Sequence, residues 1–155
     1  MVIVYFMDTS ALVKRYINEI GSPWVRSLTD SQPNNKIILA RITWVEILSA
    51  FARLQRESKI DPAALMLVNQ AFKFDWDTQY QIMELDKGLA EKAGGLVQKF
   101  PLRAYDSVQL ASAVKIHEIF SKTVQGMFTF VSADDRLLNA AKAEGLNAEN
   151  PNNHQ

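Results

Sequence analysis

The sequence predicts an α/β domain, a three-layer α/β/α sandwich around a mostly parallel central sheet. Two observations predict it. Short apolar, β-branched stretches alternate along the chain with longer stretches of helical periodicity, as expected of strands joined by crossover helices that cover both faces of the sheet. The chain also has 155 residues, 48% of them apolar, which suits one domain with a substantial core.

The first stretch, Met1 to Met7, is apolar, β-branched and aromatic and stops at Asp-Thr-Ser, so it is expected as a buried strand. Ser10 to Ile17 suits a short helix. In "GSPWVRSL", Ser22 is the expected cap and Pro23 the first helical position of a second helix. "KIILA", Lys36 to Ala40, is a short buried strand. Thr43 to Arg56 is a helix with Val45, Leu48 and Ala52 at helical spacing. Asp61-Pro62 opens another, with Leu65, Val68, Phe72 and Trp76 on one stripe. "YQIMEL" at Tyr80 to Leu85 reads as a strand, and Asp86 as the cap of a helix that Gly94-Gly95 breaks or weakens. Ala104 to Phe120 is a long helix, Gly126 to Val131 a strand, and Asp134 to Glu144 a helix ended by Gly145. Leu146 to Glu149 forms one edge strand. Residues 1–149 make one domain, and 150–155 a polar tail.

Composition removes several classes of function. With no cysteine, disulfides, thiolate zinc sites and cysteine nucleophiles are excluded, in keeping with a cytoplasmic setting. Seventeen acids balance seventeen bases, so affinity for nucleic acid has to come from a local patch. The apolar start is too short to span a membrane and has no basic leader before it, so neither anchor nor signal peptide is expected.

Ligands of parallel sheets bind beyond the carboxyl ends of the strands, and that rule selects four acids. Asp8 follows the first strand, Glu46 lies one turn into the helix after the second, Asp106 opens the long helix, and Asp134 follows the strand ending at Val131. Clustered carboxylates repel and raise one another's pKa, and a hard divalent cation such as Mg2+ or Mn2+ relieves the repulsion. His117 is three turns from Asp106 and His154 sits in the tail, so zinc is a poor fit. Two of these acids, and the neighbour of a third, also have a plainer role. Asp8 suits the cap of its helix, Thr43 and Glu46 have capping-box spacing, and so do Ser132 and Asp135. The last box would occupy Asp135 and leave Asp134 to the site.

Three stretches carry a resemblance to the PIN-domain family, in particular its VapC-like toxin ribonucleases: "FMDTSALVKRY", "LRAYDSVQLASA" and "FVSADDRLLNAA", with "TWVEILSAFARL" supplying a glutamate between them. They occur in the family's order and span nearly the whole chain. Carried over by position, the family's acidic quartet falls on Asp8, Glu46, Asp106 and Asp134, and its hydroxyls on Ser10 and Ser132. Two departures stand out: a long interval from Asp106 to Asp134, through "HEIFSKTVQG", and a doublet, Asp134-Asp135, where one acid is expected.

The resemblance implies Mg2+- or Mn2+-dependent hydrolysis of single-stranded RNA, a small antitoxin as partner, and a homodimer. Lys14, Arg15 and Arg103 are the candidates for phosphate contact, against solvated or ion-paired readings of the same side chains. Trp24, Trp44 and Trp76 read as packing residues, and Met66, Phe72 and Phe74 as a source of partner surface or core. Three alternatives remain: a non-catalytic receiver-like module with an acidic Mg2+ pocket, a PIN fold that binds RNA or a partner without cutting, and a housekeeping nuclease with no antitoxin.

Overall fold

Every stretch expected as a strand contributes one, and all of them lie parallel. A computed structural model describes residues 1–30, 33–123 and 125–155. In chain order the elements are β1 (Val2–Met7), α1 (Thr9–Tyr16), α2 (Ser22–Thr29), β2 (Asn35–Ala40), α3 (Thr43–Arg56), α4 (Pro62–Thr78), β3 (Gln81–Met83), α5 (Lys87–Lys99), α6 (Ala104–Thr123), β4 (Gly126–Val131), α7 (Asp135–Ala143) and β5 (Ala148–Glu149), closed by a 3-10 turn at Pro151–Asn153. The sheet order is β3-β2-β1-β4-β5, with each neighbouring pair parallel.

β1 is central because both of its faces are apolar. Val4 and Phe6 enter one core layer with Leu110 and Leu137, from α6 and α7, while Met7 enters the other with Leu12, Phe51 and Phe72, from α1, α3 and α4. Phe6, Phe51, Phe72 and Phe130 are all fully buried, and each such side chain contributes about 1.5–3 kcal/mol relative to exposure. The chain leaves β1 towards β2 and leaves β4 towards β5, on opposite sides. The crevice beyond the carboxyl ends of β1 and β4 is therefore the topological switch point of the sheet.

Some local expectations change. Gly21, not Ser22, is the N-cap of α2, at φ 86°. A Cβ there would meet the Pro151 carbonyl oxygen at 2.4 Å, so glycine is required twice over. Ser22 instead braces the turn before α2, accepting from the Glu19 N–H and donating to the Ile17 carbonyl. α5 runs unbroken through Gly94-Gly95. β3 stops at Met83, which lies opposite Ala40, the last residue of its partner β2, and Glu84 beyond it pairs with Arg41. α3 buries Ile47 and Phe51 and leaves Val45 exposed, a rotation that turns Glu46 towards α1 and α6. The interval through "HEIFSKTVQG" lengthens α6 to Thr123, Val124 lying outside the described residues. The closing polar segment is docked: Asn150 and Pro151 are buried, and Asn150 donates to Asp135 at 2.9 Å.

Candidate active site

A cleft of about 840 Å3 opens at the switch point and is lined by Asp8, Glu46, Asp106 and Asp134 together. Four separate elements deliver these carboxylates: the end of β1, the first turn of α3, the first turn of α6 and the start of α7.

Asp8 is 5% exposed and fully engaged. Its Oδ1 accepts from Ser10 Oγ at 2.7 Å and from the Ala11 N–H at 3.0 Å, and its Oδ2 accepts from Ser132 Oγ at 2.6 Å. It is thus the N-cap of α1 as well as a wall of the cleft, and its two readings coexist. Ser10 Oγ also accepts from the Ala133 N–H, and Ser132 Oγ from the Asp134 N–H. The two hydroxyls bolt the end of β1 to the loop after β4. Burial pushes the Asp8 carboxyl up from 3.8 to about 6, against those hydrogen bonds, and the Glu46 charge adds to the rise.

Glu46 makes no capping box with Thr43; α3 has no side-chain cap. Its Oε1 accepts from Thr9 Oγ1 at 3.0 Å and from Gln109 Nε2 at 2.8 Å. Burial raises its pKa, with the Asp106 charge adding and the two hydrogen bonds opposing. Asp106 is raised by burial first and then by Asp134, and lowered by the Arg103 and Arg136 charges. Asp8, Glu46, Asp106 and Asp134 thus form a chain in which each carboxylate feels the next.

The doublet corrects the expected division of labour. Asp134 is the cap of α7, accepting from the Arg136 N–H at 2.9 Å and the Leu137 N–H at 3.4 Å, and it also lines the cleft. Asp135 caps nothing; it accepts from Asn150. The helix begins at Asp135, two residues later than a Ser132–Asp135 box requires, which puts Asp134 in the cap position.

The candidate cations divide. Arg103 lines the cleft and is exposed. Lys14 lines it too but is 5% exposed and paired with Glu19 at 3.1 Å, so it is not a solvated face. Arg15 turns away into a network with Gln79, Tyr80 and Asp75 that holds α1 against α4. The expected phosphate role for Arg15 has no geometric support. Arg53, which no sequence motif singles out, joins the lining, as do Thr9 and Gln109. The signal for Gln109 is its position one turn beyond Asp106 on α6.

The aromatic and histidine expectations come out as packing. Trp44 and Trp76 cluster with Phe72, Trp24 stacks on His154 with ring centres 4.0 Å apart, and His117 lies against Phe128. Phe72 is fully buried, whereas Met66, Leu67 and Phe74 on α4 are exposed. The acid at the end of a third strand that a receiver-like module needs is missing from the cleft: Glu84 pairs with Arg41, and Asp86 caps α5. Among the described residues no helix is long and apolar enough to cross a membrane.

The profile of the PIN domain matches residues 5–143. The chain belongs to the PIN-domain family. Among curated relatives of this PIN domain, Ribonuclease VapC45 and Ribonuclease VapC49 of Mycobacterium tuberculosis are each 29% identical to it over 116 residues, 75% of this chain and 78% of theirs. Solved structures share the PIN fold at lower identity. FitAcB from Neisseria gonorrhoeae superposes with a TM-score of 0.66 at 17% identity, covering 97% of this chain and 99% of that one. VapBC2 from Rickettsia felis, bound to a DNA fragment from their promoter, gives 0.62 at 13%, over 95% and 98% of the two chains. VapC20 from Mycobacterium tuberculosis, a Sarcin-Ricin loop cleaving toxin, gives 0.60 at 15%, over 88% and 94%.

Proposed function

We propose that this PIN-domain chain is a Mg2+- or Mn2+-dependent endoribonuclease that hydrolyses phosphodiester bonds of single-stranded RNA, working in the cytoplasm as the toxin of a toxin–antitoxin pair. The observation that carries the reading is the chain of mutually repelling carboxylates, from four elements, at the switch-point cleft.

As they are placed, no three acidic or histidine side chains among the described residues stand close enough together to hold one ion. The donor chemistry nevertheless fits a hard divalent cation. Every candidate ligand is a carboxylate oxygen, no histidine or cysteine among the described residues lines the cleft, and Asp8, Glu46 and Asp106 are all raised in pKa by burial with like charge adding to it. Asp8, Glu46, Asp106 and Asp134 would hold the ion, which when bound supplies Lewis-acid polarisation of the scissile phosphate and an acidified water.

The chain's own groups do the rest. Ser10 and Ser132 hold both oxygens of Asp8, so its orientation is set before substrate arrives. Arg103, exposed in the cleft lining, and Lys14, buried in it, would meet phosphate oxygens, Lys14 by exchanging Glu19 for the substrate. The ribonuclease relatives support RNA as substrate, and α4 offers Met66, Leu67 and Phe74 as apolar surface for an antitoxin or a second copy. The expected result is cleavage of single-stranded RNA with Mg2+ or Mn2+ that stops in EDTA and falls at least about 100-fold in Asp8→Asn, Glu46→Gln and Asp106→Asn. Parent-like cutting by all three variants would remove the site from the reading.

A further inference from the structure

We infer that Gln109 is a positioning residue of this site: it fixes the Glu46 carboxylate with one oxygen turned to the cleft and so sets the affinity for the divalent cation. The inference rests on the metal-site reading above.

Gln109 is 2% exposed and lies one turn after Asp106 on α6. Its Nε2 donates to Glu46 Oε1 and to Thr43 Oγ1, each at 2.8 Å, so a single amide ties the carboxylate to the first residue of its own helix. Thr9 Oγ1 donates to the same Glu46 oxygen. With Oε1 held twice, Oε2, which accepts no hydrogen bond among the described residues, is the oxygen left for a ligand.

The other end of the amide shows which contact matters. Gln109 Oε1 is buried and has no hydrogen-bond partner among the described residues. Such an atom opposes folding; turning the amide over would give the oxygen the Thr43 hydroxyl, which can donate as well as accept, but would leave the NH2 group where the oxygen now has no partner among the described residues. Glu46 opposes the turn most strongly, since it would lose a donor and a carbonyl oxygen would then face its carboxylate. The chain keeps an orphaned acceptor, and what it secures thereby is the orientation of Glu46.

Mn2+ titration calorimetry on the metal-free full chain tests this with the parent, Glu46→Gln, Gln109→Met and the double variant. Gln109→Met keeps the side-chain length and removes both the donor and the orphaned acceptor, so Tm holds or rises. The expected result is a Kd for Mn2+ about 10- to 100-fold weaker, a lower kcat on RNA at unchanged KM, and no further loss when Gln109→Met is added to Glu46→Gln. Thr43→Val, which frees the amide's second anchor, gives a smaller weakening with the same dependence on Glu46. An unchanged Kd in both Gln109→Met and Thr43→Val, or an equal loss with Glu46 already replaced, overturns the inference. A parent that binds no Mn2+, or a Glu46→Gln variant that binds it like the parent, sinks the metal-site reading instead.

Discussion

At Asp134 a helix cap and a candidate ligand are the same carboxylate, and substitution can separate the two. Oδ1 accepts from two N–H groups of the first turn of α7, while the side chain faces the cleft. Asparagine caps about as well as aspartate, but it is neutral and a far weaker ligand for a hard cation. Asp134→Asn is therefore expected to keep Tm within about 2 °C and lose RNA cleavage, whereas Asp134→Ala loses cleavage and about 1 kcal/mol as well. Asp135→Ala removes only the acceptor for Asn150, costs about 0.5–1.5 kcal/mol, and leaves cleavage intact. Thermal melts beside RNA assays of the three variants check this; full activity in Asp134→Asn would hand the fourth position to another group. The sequence assigns Asp134 to the cleft and Asp135 to the cap; Asp134 takes both places, because the helix starts two residues later than a Ser132–Asp135 box requires. Lys14 and Arg15 show a similar limit. They are adjacent and so point about 100° apart on α1, and only the packing of α4 decides that Lys14 faces the cleft and Arg15 faces Tyr80.

Elements were the most legible level, because periodicity and capping chemistry are local. Asp61 and Asp86 cap α4 and α5 through the Ala64 and Leu89 N–H groups, and β4 has the expected bounds. What failed was set by distant residues. The cap of α2 depends on Pro151, far along the chain, and the docking of the closing segment depends on Asp135; polar composition carries no trace of either. Gln109 and Thr9 are neutral and, unlike Ser10 and Ser132, match neither hydroxyl position that the family resemblance picks out. At α5 local and global demands diverge in a testable way. Gly94 and Gly95 sit mid-helix, exposed, and a Cβ on either would meet nothing within 4 Å. Each therefore carries the backbone-entropy penalty of glycine without a packing reason for it. Gly94→Ala and Gly95→Ala are each expected to stabilise by about 0.5–1 kcal/mol, and the double variant to raise Tm by roughly 3–6 °C. A fall in the midpoint would mean that α5 meets a partner too closely for a methyl group.

For the whole molecule, the parallel order puts β1 and β4 side by side at the centre, and their divergent exits open the crevice that the acids line. The same arrangement burdens stability, because Asp8 is buried where ionisation is costly. Its carboxyl sits at about 6 in the folded chain against an ordinary aspartate value of 3.8, so between those pH values the native state binds more protons than the unfolded one. By linkage, stability then falls as pH rises. The penalty is absent below about pH 4, where both states are protonated, grows up to about pH 6, and is complete above it, reaching roughly 3 kcal/mol at most. Burial raises Glu46 and Asp106 in the same direction. Asp8→Asn removes the titrating group while keeping an acceptor for the Ala11 N–H. In EDTA the variant is thus expected to gain on the parent as pH rises from 4.5 to 7.5, and millimolar Mg2+ at pH 7.5 to stabilise the parent more than the variant. Urea unfolding of both proteins at pH 4.5, 6 and 7.5, with and without Mg2+, measures the difference directly. A gap between parent and variant that stays constant across that range would mean that Asp8 is not the group in which the cost of assembling this cleft is stored.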